Sequence, residues 1–323
     1  MKNKAHWSSQ KEVVHTSLPI RFTIWLTKHL PHWFMIGVAF MVSVFYYLFG
    51  PKIRKYCKIY QKNLQEFYGP DYKLKKSPFK QIYAFAISFI EKIEYWLKEL
   101  PENALEFRDD DYNTMVDSLK SNKGAYLICS HLGSIEILRS IAYRTEVVTG
   151  RTVKVLPIMD VDVNSKFISS MQQSNSHIYE SYINASDIGV GTLEMMQNTL
   201  DNGSLIFCAG DRTGSKSSRT IKVPLFGKDA LFPYGTFFIP SLLETDVYFM
   251  FNMRSPDFKA YSKYKIFVYK AKTDLNVPRS KRKQAIEDLC KEYVSILEDL
   301  CKQYPYQWFN FFDFWNLDSA ENV

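Results

Sequence analysis

Cysteine is scarce in this chain and badly placed for pairing. Five cysteines, Cys57, Cys129, Cys208, Cys290 and Cys301, are scattered through 323 residues. Their number is odd, and no two stand in a C-x-x-C spacing. A disulfide framework is excluded, no zinc-ligand spacing appears, and a reducing, cytosolic setting is the reading that follows. A G-x-S-x-G elbow is also missing, which excludes the common serine-hydrolase arrangement. The run Asp160-Val161-Asp162-Val163-Asn164 alternates oxygen ligands, but the glycine and closing glutamate of a calcium loop are absent. It reads as a helix cap before Ser165-Lys166-Phe167. There is no internal repeat, no low-complexity tract and no nucleic-acid-binding motif, so no nucleic-acid partner is expected. His177 reads as a structural strand residue.

Formal charge is missing between Lys28 and Lys52. Inside that gap, residues 33–49 form an apolar run that would make about 25 Å of helix, against a hydrocarbon core near 30 Å. Trp33, Tyr46 and Tyr47 resemble interface anchors. Tyr46-Tyr47-Leu48-Phe49-Gly50-Pro51 is too bulky for a signal-peptidase site, and Gly50-Pro51 stops or kinks the helix. Lys52, Arg54, Lys55, Lys58 and Lys62 follow at once, then Lys73, Lys75, Lys76 and Lys80. Basic residues beside an apolar helix favour anionic headgroups, by about 1 kcal/mol each near the surface. The same residues would suit an acidic carrier protein. A monotopic or single-pass anchor is expected, with the rest of the chain on the cytoplasmic face.

The remaining length is enough for one large α/β domain. Residues 79–100, 111–121, 190–200 and 281–304 carry apolar residues at helical spacing. Residues 125–129, 153–158, 204–209, 247–253 and 264–269 read as strands. Alternating strands and helices predict an α/β fold with a mixed, largely parallel central sheet flanked by helices, behind an N-terminal hydrophobic helix. The expected organisation is an N-terminal segment (1–30), an anchoring helix with a basic tail (31–62), a catalytic domain (63–316) and a loose C-terminus (317–323). The aromatic share, 16%, fits a protein that handles lipid or meets a membrane interface.

The most informative local pattern is Ser130-His131-Leu132-Gly133-Ser134-Ile135-Glu136, directly after the apolar run Ala125-Tyr126-Leu127-Ile128-Cys129. A histidine leaves the end of a strand, and a carboxylate follows on the first turn of a helix expected over 134–144. His131 supplies a base that titrates near neutrality. Glu136 supplies a carboxylate that can hold the far ring nitrogen and stabilise the imidazolium. Ligands in open α/β sheets bind beyond the carboxyl ends of the strands, and Gly133 permits close backbone approach there. No Ser or Cys nucleophile is needed if the acceptor brings its own hydroxyl or amine.

Downstream, the strand-like run 204–209 leads into Gly210-Asp211-Arg212-Thr213-Gly214. Lys222-Val223-Pro224-Leu225-Phe226-Gly227 follows, then Leu231-Phe232-Pro233-Tyr234-Gly235, and at the end Gln307-Trp308-Phe309-Asn310-Phe311-Phe312-Asp313-Phe314-Trp315. With the order HxxxxE, GDR, VPLFG and FPxG, residues 80–315 resemble the lysophospholipid acyltransferase superfamily, in its bacterial lipid A late acyltransferase branch. The resemblance implies a glycerol-3-phosphate acyltransferase-like fold with His131 as general base and Glu136 as its partner. It places Arg212 at the site, where its fork of donors would bind a phosphate or the developing oxyanion. Gly133, through nearby backbone N–H groups, and Gly210, Asp211, Thr213, Pro233 and Gly235 are grouped with the substrate and oxyanion site. Asp211 is read as fixing its loop, and Gly235 as permitting close packing in a turn that shapes a pocket. The loop after His131, Leu132-Gly133-Ser134, is less aromatic than is usual in lipid A acyltransferases.

The implied activity is an acyltransferase (EC 2.3.1.-) moving a fatty acyl chain from a thioester, acyl carrier protein or coenzyme A, to a hydroxyl or amine of a membrane-associated lipid. No metal or cofactor is called for, and the implied location is the bacterial inner membrane. A hydrolase using the same base on water, and a non-catalytic lipid-binding scaffold, remain the alternatives. The acceptor stays open between a lipid A precursor, a lysophospholipid, an aminoacyl lipid and a polyene.

Overall fold

Among the described residues, glycine and proline cut the stretch 18–97 into four helices. In the computed structural model these are α1 (Leu18–His29), α2 (His32–Phe49), α3 (Pro51–Tyr68) and α4 (Pro78–Leu97). The structure describes residues 18–97, 104–107, 110–135, 149–151, 153–159, 182–212, 219–255 and 263–317. Gly50 ends α2, and Pro51 opens α3 at a position where a missing N–H costs nothing. Arg54 closes the break by donating to the Tyr47 and Leu48 carbonyls, and it lies over the Tyr47 ring.

Helix α2 buries only a narrow stripe: His32, Met35, Ala39 and Ser43. Met35 and Ala39 pack on Ile87 and Ile90 of α4, and His32 Nδ1 lies 2.7 Å from Glu94 Oε2. The other faces remain apolar and exposed, with Trp33 71%, Met41 71% and Phe49 70% accessible. Helix α3 differs. Its Tyr60 and Leu64 belong to the main core, while Lys52, Lys55, Lys58 and Lys62 lie on its solvent side. The basic tail of the hydrophobic segment is therefore a packed helix.

The strands are β1 (Leu105–Phe107), β2 (Ala125–Gly133), β3 (Val155–Met159), β4 (Ile183–Asn184), β5 (Leu205–Ala209), β6 (Thr220–Leu225), β7 (Lys228–Pro233), β8 (Asp246–Arg254) and β9 (Tyr264–Lys270). The intervening described helices are α5 (Asp110–Lys120), α6 (Val190–Asp201), α7 (Tyr234–Phe238) and α8 (Arg279–Gln303). The described strands build a seven-stranded sheet in the order β1-β9-β8-β2-β5-β3-β4. All its neighbours pair parallel except β8 with β9. The fold is the mixed, largely parallel α/β architecture that the alternation of elements predicts.

Strand β2 is central and buried on both faces. Tyr126 and Ile128 face one core, and Leu127 and Cys129 face the other, as period-two side chains must. The first core is closed by α8, whose Tyr293 is fully buried and donates to the Cys129 carbonyl at 3.0 Å. After β2 the chain crosses to β3 and β5 on one side and later reaches β8 on the other. The carboxyl end of β2 is thus a topological switch point, where open α/β sheets keep their ligand crevice.

The VPLFG block forms the tip of the β6–β7 hairpin. Leu225 pairs with Lys228, so Phe226 and Gly227 are a two-residue loop, and both have positive φ, 52° and 69°, as a type I′ turn requires. The Phe226 ring packs with Trp308 and Trp315, and Trp315 Nε1 donates to the Leu225 carbonyl at 3.1 Å. This motif fastens the aromatic C-terminal segment to the body.

Candidate active site

Past Cys129, β2 changes partners. Cys129 lies opposite Met250 and Gly133 opposite Asn252, so four steps on β2 match two on β8. The strand bulges, and pairing with β5 has already stopped at Cys129–Ala209. The C-terminal segment fills the gap. Phe309 N–H donates to the His131 carbonyl at 3.0 Å, and Gly133 N–H to the Gln307 carbonyl at 2.8 Å. His131 therefore sits in a bulged continuation of the strand rather than beyond its end, because a distant segment supplies new hydrogen-bond partners.

This bears on the backbone N–H groups of residues 131–134. The N–H groups near Gly133 are already engaged. His131 N–H goes to Asp211, Leu132 N–H to Ser130 Oγ, Gly133 N–H to Gln307 and Ser134 N–H to the Asn252 carbonyl. None of these four amides is left to receive an oxyanion. What Gly133 contributes is its backbone: φ is +77°, and a Cβ there would lie 1.8 Å from the Asn252 carbonyl oxygen.

The adjacent strand brings the second half of the site. Gly210 lies so close to α8 that a Cβ would meet the Tyr293 ring at 2.8 Å. Its bareness lets the chain turn over Tyr293 toward β2, with Gly210 N–H donating to the Cys129 carbonyl at 2.8 Å. Gly210 is thus a packing requirement. The next residue, Asp211, is wholly inaccessible. Its Oδ1 lies 2.8 Å from His131 Nδ1. It also accepts from His131 N–H, Ser130 Oγ, Trp308 Nε1 and Asn310 Nδ2, at 2.9 to 3.1 Å. A carboxylate so buried cannot touch substrate; its ring partner is the imidazole.

Arg212 turns to the same segment. Its Nε donates to Asn310 Oδ1 and a terminal nitrogen to the Phe309 carbonyl, both at 2.8 Å. The charges act on one another. Burial, then the Arg212 charge, holds the His131 imidazole below its usual value, against the opposing pull of Asp211. Burial alone would raise Asp211, but the charge and hydrogen bond of His131, then Arg212 and Trp308, hold it well below the ordinary carboxylate range. Arg212 is pushed down to about 10 by burial, and it stays charged at neutral pH. The result is a neutral imidazole on a fixed carboxylate, with a quarter of the side chain accessible (23%) and a guanidinium nearby.

Glu136 and Thr213 lie outside the described residues, as do the calcium-like run 160–164, His177 and most of the helix expected over 134–144. The neutral imidazole has one ring N–H, and the carboxylate brought to Nδ1 is Asp211. Pro233 ends β7 and precedes the first turn of α7. Thr236 on that turn donates to the Ala209 carbonyl at 3.0 Å, tying the FPxG block to the last residue of β5. Gly235 itself has open space: a Cβ there meets nothing within 4 Å, so close packing does not require it.

Three residues of the site escape a reading of local motifs: Ser130, Trp308 and Asn310. Their shared task is to donate to one buried carboxylate. The available signal was chemical: Gln307-Trp308-Phe309-Asn310 holds two amides and an indole N–H amid aromatics, and buried donors need acceptors.

A family model described as bacterial lipid A biosynthesis acyltransferase matches residues 12–316. The comparison with curated proteins finds no match.

Proposed function

The chain belongs to the bacterial lipid A biosynthesis acyltransferase family, and from that premise we propose that it moves a fatty acyl chain from a thioester donor to a hydroxyl or amine of a membrane-bound lipid, with His131 as general base. The observation that carries this reading is the His131–Asp211 contact at 2.8 Å, at the switch point of the sheet. Asp211 on Nδ1 leaves Nε2 as the basic nitrogen. Nε2 takes the proton of the acceptor, and the oxygen or nitrogen so freed attacks the thioester carbonyl. The tetrahedral intermediate carries its charge on the former carbonyl oxygen. Since the amides of residues 131–134 are engaged, stabilisation falls to the positive charge of Arg212. Collapse expels the donor thiolate, which takes up the proton held on His131 Nε2 and so restores the neutral imidazole. Glu136, five residues beyond His131, is retained as the motif's own carboxylate, and its share is separable from that of Asp211 by substitution.

The family is membrane-associated, and α2 is an 18-residue helix of mean hydropathy 1.7. We read its seating as monotopic. About 27 Å of helix falls short of a hydrocarbon core near 30 Å, and the stripe facing α4 includes His32 against Glu94. The exposed Trp33, Met41, Phe45 and Phe49 would enter the bilayer, and the lysines of α3 would meet anionic headgroups. A monotopic seating leaves the whole sheet on one side of the membrane, the cytoplasmic side if the donor is carrier-borne.

The deciding assay gives purified protein a labelled acyl–carrier-protein thioester, then acyl-coenzyme A, with a bacterial lipid extract. Label in the lipid fraction supports transfer. Free fatty acid alone means hydrolysis, and unchanged thioester means a scaffold; either rejects the proposal.

A further inference from the structure

Asp211 and Arg212 are neighbours in sequence and opposite in charge, Asp211 wholly buried and Arg212 half-buried. Two such groups have a strong electrostatic reason to pair with each other. Asp211 paired only with Arg212 would support the imidazole poorly.

One side chain stands between them. Asn310 is 3% exposed. Its Nδ2 donates to Asp211 Oδ2 at 3.0 Å, and its Oδ1 accepts from Arg212 Nε at 2.8 Å. The partners determine which end of the amide is which: a carboxylate only accepts, and a guanidinium only donates. Aspartate in this place would accept from Arg212 and have nothing to give Asp211. Leucine would fill the space and serve neither.

We propose that Asn310 is a positioning residue for the reaction, a neutral amide spacer that holds the Asp211 carboxylate for His131 and aims the Arg212 guanidinium. The inference rests on His131 being the general base. Each donor on Asp211 Oδ2 draws electron density from the carboxylate and so tempers its pull on the imidazole. Asn310 and Trp308 Nε1 share that oxygen. Removing the Asn310 donor concentrates charge on Asp211, stabilises the imidazolium and raises the His131 pKa. Loss of the amide oxygen, as in the serine variant, also removes the acceptor that holds Arg212 Nε and so loosens the aim of the guanidinium.

The experiment uses full-length protein in nanodiscs with ¹⁵N-labelled histidine, comparing the parent with Asn310→Asp and Asn310→Ser. The His131 ring resonances report tautomer and pKa without turnover, and steady-state assays with acyl–carrier-protein give kcat/KM against pH. Both substitutions should raise the His131 pKa and move the acid limb of kcat/KM to higher pH by the same amount. At the optimum, kcat should fall by roughly ten- to a hundred-fold, as displacement of a catalytic group does, with KM for the donor little changed. A folded variant with the parental His131 pKa and pH profile overturns the proposal, and so does failure of both variants to fold. A third variant, His131→Ala, separates the premise from the inference: retained activity there rejects the general-base reading, while the resonances in the Asn310 variants still report whether the amide governs the imidazole.

Discussion

One oxygen of Asp211, Oδ1, receives both the main-chain N–H and the ring Nδ1 of His131, at 3.1 and 2.8 Å. The N–H also reaches Oδ2 at 2.9 Å, so backbone and side chain of one residue are held by a single carboxylate. This limits the rotation of the imidazole about its own chain and fixes the outward direction of Nε2.

His131→Ala should therefore remove transfer without unfolding the protein. A positioned general base is worth about 10²–10⁴ in rate, and the side chain is partly accessible. Activity and thermal melting of the purified variant check this; full activity in a folded variant would sink the mechanism.

Asp211→Asn should cost a comparable factor, because the amide turns an N–H toward donors and disfavours the Nδ1–H tautomer. Glu136→Gln should also lose activity if the motif carboxylate takes part. Measuring kcat for both separates them: a Glu136→Gln enzyme equal to the parent at every pH assigns the orienting role to Asp211 alone.

The pH dependence has a definite sign. His131 is held below its ordinary value near 6.5, so the neutral, base-competent form dominates at pH 7. Activity should decline only as pH falls through a midpoint below 6.5. For stability, the unfolded chain takes up the His131 proton first, so stability falls as pH drops below 6.5 toward the folded pKa. The depressed Asp211 contributes stability fully above its ordinary carboxylate pKa, and that is lost as pH falls toward its lower folded value. An acid limb centred above 6.5 would contradict this.

Gly133→Ala is expected to damage the fold rather than the chemistry. The backbone strain alone costs about 1–3 kcal/mol, and the Cβ overlaps the Asn252 carbonyl. Thermal melting should fall sharply; a parental melting temperature would show that the bulge is not held as described.

Membrane seating is best tested without deleting α2, since its loss would strip the buried Glu94 of its His32 partner. Replacing the exposed Trp33, Phe45 and Phe49 by serine leaves the buried stripe intact. The triple variant should keep its melting temperature and shift from the membrane pellet to the soluble fraction. Undiminished sedimentation with vesicles of anionic phospholipid would refute the seating.

Strand and helix periodicity carried the fold well. The strand ending at Cys129, the strand leading to Gly210 and the helices near residues 79–100 and 281–304 appear within a few residues of where apolar spacing places them. His131 was visible as a polar residue directly after a buried strand. The contact of Asp211 with its ring was not, because it depends on β2 and β5 being neighbours, which no local pattern states. The bulge was hidden for the same reason. Its partners, Gln307 to Phe309, lie at the far end of the chain, and the Gly133 amide looked available only while that segment was out of view.

The tail that closes β2 also sets a clock. A growing polypeptide presents His131 and Asp211 before it contains Trp308 and Asn310, which donate to the Asp211 carboxylate and, through Asn310, hold Arg212. Until then the chain contains both partners of the His131–Asp211 contact yet lacks the frame that holds them in place.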